Sequence, residues 1–185
     1  MGPQFLNDGG KEIGDDNIPM NPSISPDFQI RFAEPADVPT IMRLIRALAE
    51  YERAPDEVVA TEELLHENLF GAHPAAEVLL GEENGAPVCF ALFFHNFSTW
   101  KGRRGLYLED LFVTPEKRGR GYGRALLVRL AQIARERECA RMEWAVLDWN
   151  EPAIQFYRKL GARPNEDWTI FRLTRDGIVS LAGEQ

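Results

Sequence analysis

Arg118-Gly119-Arg120-Gly121-Tyr122-Gly123 is the stretch that decides the fold of this chain. An apolar-rich segment, Leu106-Tyr107-Leu108-Glu109-Asp110-Leu111-Phe112-Val113, precedes it. Behind it Leu126, Leu127, Leu130, Ile133 and Ala134 recur at helical spacing. Strand, glycine-rich turn and helix in that order aim free backbone N–H groups at an anion. Glycines at alternate positions let the backbone approach a ligand with no side chain in between. Arg118, Arg120 and Arg124 add positive charge at the same place. A dinucleotide fingerprint would need a third glycine where Arg124 stands, and a Walker loop a Gly-Lys-Ser/Thr ending that is absent. A basic glycine loop of neither kind suits the pyrophosphate of coenzyme A.

Working outward, 185 residues with 44% hydrophobic content predict one domain with a sizeable core. A formal charge of −8 argues against a general nucleic-acid binder. The charge is also unevenly spread. Glu50, Glu52, Asp56, Glu57, Glu62, Glu63 and Glu67 crowd one segment against the single base Arg53, whereas Lys117 to Arg141 is strongly basic. An acidic pole for a cationic substrate and a basic pole for phosphates would give this pattern, as would solvated helix faces. Cys89 and Cys139 make no metal or CxxC spacing and read as buried thiols; His66, His73 and His95 are scattered, so no metal is expected. No apolar run reaches the ~20 residues of a membrane span, and no signal peptide is evident, so the expectation is a cytoplasmic protein with no membrane partner.

Residues 1–27 lack periodicity and read as a disordered N-terminal extension, native or of expression origin, ahead of a single domain over 28–185. Phe28–Phe32 predicts a first strand, and Asp37 a cap for a helix to about Tyr51 with Val38, Ile41, Leu44, Ile45 and Leu48 inward. A second helix is expected from about Thr61 to Leu69. Two strands, Val78–Leu80 and Val88–Phe94, turn at Asn84-Gly85. After the central strand, the glycine loop and the long helix come a fifth strand over Met142–Leu147 and a helix capped by Asn150 and stopped at Gly161. A last strand is expected over Trp168–Leu173. The fold class is α/β or α+β.

Arg118-x-x-Gly121-x-Gly123 resembles the coenzyme A signature of the GNAT acetyltransferase superfamily. Leu106 to Val113, Trp149-Asn150-Glu151-Pro152 and Phe156-Tyr157 resemble its diamine (spermidine/spermine) branch more narrowly. Ser98-Thr99-Trp100-Lys101-Gly102-Arg103 and Ala145 to Asn150 are closer to the thialysine acetyltransferases of that branch. The likeness runs from about Phe28 to about Leu173. It implies a mixed, partly splayed sheet of about six or seven strands flanked by helices, acetyl-CoA as cosubstrate, and a homodimer. The implied reaction is acetyl transfer to a primary amine of a small molecule, by direct attack in a ternary complex.

Such a transfer needs a neutral amine, a stabilised carbonyl oxygen and a protonated leaving thiolate. An amine with a lysine-like pKa of about 10.4 is neutral only about one time in 10³ at pH 7, a penalty of about 4 kcal/mol. Glu109 is the candidate base, with a structural ion pair as its alternative role. Asp110 points to the opposite face of a regular strand, and a role near the substrate for both acids, as the resemblance implies, requires a bulge. Backbone N–H groups from Leu111, Phe112 and Val113 are the candidate oxyanion donors. Gly119 and Tyr122, with the arginines and glycines of the signature, complete the candidate cofactor loop. The resemblance adds Tyr157 as acid for the thiolate and Asn150, two helical turns before it, on the pantetheine side. It also points to Tyr51, Glu52, Trp144 and Glu166 for the acceptor, and Trp100 and Trp168 offer aromatic walls. Lys101, Arg103 and Arg104 beside the presumed entrance disfavour a polyamine and suit an acceptor with its own carboxylate. A protein or peptide acetyltransferase and a non-catalytic coenzyme A-binding module are the alternatives. The first needs an open groove, and the second need keep neither Glu109 nor Tyr157.

Overall fold

The computed structural model describes residues 24–183, so nearly all of the expected 1–27 extension lies outside the described residues. Two compact units make up the chain, one ending at Ala145 and the other beginning at Val146. In the first, the strands β1 (Phe28–Phe32), β2 (Glu77–Glu83), β3 (Ala86–Ser98), β4 (Arg103–Val113) and β5 (Met142–Trp144) form one sheet in sequence order. Its helices are α1 (Val38–Tyr51), α2 (Glu62–Phe70) and α3 (Tyr122–Glu136). The first four strands run antiparallel, and β5 joins β4 in parallel after the α3 crossover.

The β2–β3 hairpin turns where the sequence predicts it. Asn84 and Gly85 both have positive φ, 53° and 73°, as a two-residue turn matched to strand twist requires. Ile41, Leu44 and Leu48 of α1 pack with Leu69 of α2 against Val78, Leu80, Phe90 and Phe112 on one face of the sheet. Ile41 and Leu44 are fully buried, each contributing about 1.5–3 kcal/mol by leaving water. Leu126, Leu130 and Ile133 of α3 are equally buried.

Several expectations need correction. Asp37 does not cap α1 with its side chain; its carboxylate accepts from Glu34 N–H and pairs with Arg31, closing the short turn Pro35–Asp37. The fifth strand stops at Trp144 instead of Leu147. Trp168–Leu173 forms no strand, because alternation makes a strand only where a neighbour supplies the ladder, and none is paired to this segment. The sheet of the described residues therefore has five strands, not six or seven. The second unit is helical, with α4 (Glu151–Lys159) and α5 (Arg175–Ala182). Among the described residues no helix is long and apolar enough to cross a membrane.

Candidate active site

Two features of β4 set up the site. The first is a register shift. Leu92 pairs with Asp110, yet Phe93 pairs with Leu108, leaving Glu109 as the extra residue of a β-bulge. Asp110 then shares the α1 face with Phe112, while Glu109 stands exposed at the bulge. The second is the short pairing with β5, which covers only Leu106–Leu108 against Met142–Trp144. Thr114 N–H donates to Val88 of β3. Strand alternation therefore turns the Phe112 N–H towards β3 as well, and those of Leu111 and Val113 towards the edge beyond the β5 pairing. Of the three expected oxyanion donors, Leu111 and Val113 face that edge; Phe112 contributes its ring to the core.

The carboxyl of Asp110 is pushed up to about 6, first by burial and then by the neighbouring charges of Glu109 and Glu52. Glu52, at the C-terminal end of α1, is itself raised by burial. Three acids drawn from two elements thus form one acidic focus in the first unit. Such a focus lowers its energy by taking up a proton or a cation. Raised protonation therefore falls on Asp110.

The glycine loop lies at the C-terminal end of β4. Gly119 and Gly121 have φ of 76° and 86°, values that a side chain would strain. Gly121 is the N-cap of α3 and, having no side chain, leaves the N–H groups of the first turn without a side-chain acceptor. A phosphate fits that place by charge and by donor geometry. The loop cations divide into two sets. The Arg118 guanidinium lies 4.2 Å from the centre of the Tyr51 ring and 5.7 Å from that of Phe112, and its Nε donates to Val113 O at 3.1 Å. Arg120 instead turns to Glu83 at the end of β2, 3.1 Å away. Lys117 and the Tyr122 hydroxyl bond the same carboxylate. Tyr122, expected at the cofactor, is a core residue whose ring is stacked on Phe28 at 4.1 Å. Arg124 is half-buried in the first turn of α3, behind Gly123.

Glu83 was missed by sequence reading. An acid at a strand end, 34 to 39 residues from its partners, leaves no local pattern. Among the other expected residues, Trp144 closes β5, half-buried, and Trp100 sits exposed in the β3–β4 turn. Lys101, Arg103 and Arg104 belong to that turn and the start of β4. Arg104 and Asp110 are separated by roughly 20 Å along the strand, at about 3.3 Å per residue. Within one chain the basic rim and the acids do not flank the same small molecule, which corrects the expected entrance. Cys89 is fully buried, which pushes its thiol up to about 12, so it is no nucleophile.

In the second unit, Asn150 is buried and caps α4, its side-chain oxygen accepting from Ala153 N–H at 3.4 Å. Tyr157 follows two turns later, half-buried, its ring 5.4 Å from that of Phe156. Glu166 and Trp168 are exposed in the irregular segment before α5.

Comparison with known proteins gives the chain its family and its fold relatives. Residues 41–162 match the model of the Acetyltransferase (GNAT) family. The chain is 40% identical over 166 residues to a thialysine N-epsilon-acetyltransferase of Bos taurus, covering 84% of this chain and 97% of that protein. It is 36% identical over 168 residues to a human spermidine/spermine N(1)-acetyltransferase-like protein 1, covering 85% of this chain and 24% of that one. A solved structure of an integron cassette protein from the mobile metagenome of V. cholerae superposes with a TM-score of 0.75 at 26% identity, covering 86% of this chain and all of that one.

Proposed function

The chain belongs to the GNAT acetyltransferase family, and from that premise we propose that it acetylates a small primary amine of the lysine-analogue type, with thialysine as the model acceptor. It is an N-acetyltransferase, with acetyl-CoA the cosubstrate that membership implies. One observation carries the reading of the acceptor end: the acidic focus of Glu52, Glu109 and Asp110 at the β4 bulge, an environment that favours an ammonium. The likeness to a thialysine acetyltransferase supports the lysine-analogue class. A diamine is the second reading, favoured by the same acids and by the spermidine/spermine relative.

Each group then has a role. The N–H groups at the start of α3, with Arg118 and Arg124, hold the phosphates of the donor. Glu109, exposed at the bulge, takes the proton from the amine, directly or through a water; Asp110 and Glu52 hold the ammonium before it is lost. The outward N–H groups of Leu111 and Val113 stabilise the charge that grows on the thioester oxygen, and Tyr157 gives its proton to the departing thiolate. Trp144 and, in the second unit, Glu166 and Trp168 are assigned to the acceptor, and Asn150 to the pantetheine arm. Two cysteines without a disulfide fit the reducing cytoplasm.

The protein is also assigned as a homodimer. Trp168, Ile170, Phe171 and Leu173 expose large apolar side chains in the second unit, a patch of the kind that association covers. Thiol release measured over a panel of thialysine, lysine, diamines and a peptide tests the acceptor. Thialysine should give the highest kcat/KM, and turnover of the peptide alone would overturn the small-molecule reading. Light scattering at micromolar concentration should give twice 21.0 kDa; a monomer would remove the dimer.

A further inference from the structure

We infer that Glu83 is a positioning residue of the donor-binding loop, acting from outside the glycine signature; this rests on the reading of that loop as the acetyl-CoA site. Glu83 ends β2, where the register shifts between Gly81 and Glu82. Successive residues face opposite ways. Glu82 joins Arg31, which also holds Asp37 ahead of α1, while Glu83 turns to α3. Its carboxylate is 6% exposed and accepts from three groups that bracket the two left-handed glycines. Lys117 stands before Gly119, Arg120 between the glycines, and Tyr122 directly after Gly121. Those contacts hold the carboxyl at about 2, so it is ionised whenever the protein is folded near neutrality.

The consequence is mechanical and electrostatic together. Two like charges and a buried hydroxyl converge only because one anion satisfies all three. The backbone path between them, with the α3 N–H groups it presents, is fixed before any ligand arrives, which lowers the ordering cost of binding. Lys117 and Arg120 are neutralised in place, so an arriving diphosphate meets the helix N–H groups and Arg118 first. A loop without Glu83 would have its cations free and its backbone unfixed.

The test compares wild type, Glu83→Gln and Glu83→Ala by calorimetry with acetyl-CoA, at several salt concentrations, with inorganic pyrophosphate as competitor. Glu83→Gln keeps an acceptor for Tyr122 and guards against a misfolded alanine variant. At 150 mM salt, Kd should rise about tenfold in Glu83→Ala and less in Glu83→Gln, on the scale of lost preorganisation. The salt dependence of Kd should steepen in both, because freed cations now meet the phosphates through solvent. In turnover assays KM for acetyl-CoA should rise while kcat at saturation stays within about twofold, as for lost binding that does not distinguish the transition state. Unchanged Kd and salt slope in folded variants, whatever their melting temperature, would reduce Glu83 to a structural residue. Tighter binding at 150 mM salt would make it a competitor of the diphosphate and equally overturn the proposal. Failure of wild type itself to bind acetyl-CoA would sink the donor-site reading instead.

Discussion

The glycine loop gathers cations around a carboxylate, whereas the β4 bulge gathers carboxylates around one another. Lys117, Arg120 and Tyr122 satisfy Glu83, and the loop is settled without a ligand. At the bulge, burial first and then the charges of Glu109 and Glu52 raise the cost of ionising Asp110. Both regions belong to the first unit, the bulge within β4 and the loop beyond that strand's C-terminal end. The donor end is thus built for shape, and the acceptor end is left with unspent attraction for a cation. The same acids that attract the ammonium also hold it charged, so transfer depends on Glu109 as the base that takes the proton.

The largest effect should come from spoiling the settled region. Gly121→Asp places a side chain at a φ of 86° and a negative charge at the phosphate end of α3. Acetyl-CoA binding should fall below calorimetric detection while circular dichroism keeps the fold; unchanged affinity in a folded protein would break the contrast outright. Next comes the chemistry. Tyr157→Phe should lower kcat and kcat/KM together by about 10²–10⁴, the usual contribution of a general acid, with acetyl-CoA affinity nearly unchanged. Glu109→Gln should lose a comparable factor at pH 7 and recover part of it as pH approaches the amine pKa, where no base is needed. Tyr157→Phe should not recover. An unaltered single-turnover rate in either variant removes that residue from the mechanism.

The smallest effect concerns stability, and its sign separates the two regions. The folded pKa of Asp110, about 6, lies above the ordinary 3.8, so the folded protein binds more protons between those values. Stability from this group is full below about pH 4 and declines as pH rises towards 6. Asp110→Asn should therefore raise the melting temperature at pH 7, by the equivalent of about 1–3 kcal/mol, and give little gain at pH 4, while acceptor KM worsens. Glu83 runs the other way. Its depressed pKa contributes stability above the ordinary carboxylate range, lost as pH falls from about 4.5 towards 2. Destabilisation by Asp110→Asn at pH 7 would mean that the acids are paired after all.

Local patterns made much of this legible. The Asn84-Gly85 turn, the inward stripe of α1 and the glycines ahead of α3 each follow from spacing over a few residues. The acidic focus was half legible. Its members were named, but the bulge that brings Asp110 and Glu109 to work together came from family resemblance, since nothing in Leu-Glu-Asp-Leu declares an extra residue. Glu83 was invisible because its meaning is a long-range juxtaposition. Trp168–Leu173 failed in the opposite sense: an alternating pattern states what a segment would bury as a strand and says nothing of whether a partner edge exists.

The stacking of Arg118 on Tyr51 has a thermodynamic corollary. Tyr51 is the residue before Glu52, so one guanidinium bridges the donor loop and the acceptor acids. A phosphate that draws Arg118 off the ring forfeits a contact of about 0.5–1 kcal/mol and unloads the end of α1 at the same moment. Donor and acceptor then share one conversation, and by reciprocity whatever the first does to the affinity of the second is returned in equal measure. Tyr51→Leu should uncouple them, making the acceptor Kd the same with and without bound coenzyme A; a coupling unchanged by that substitution would show that the bridge carries no message.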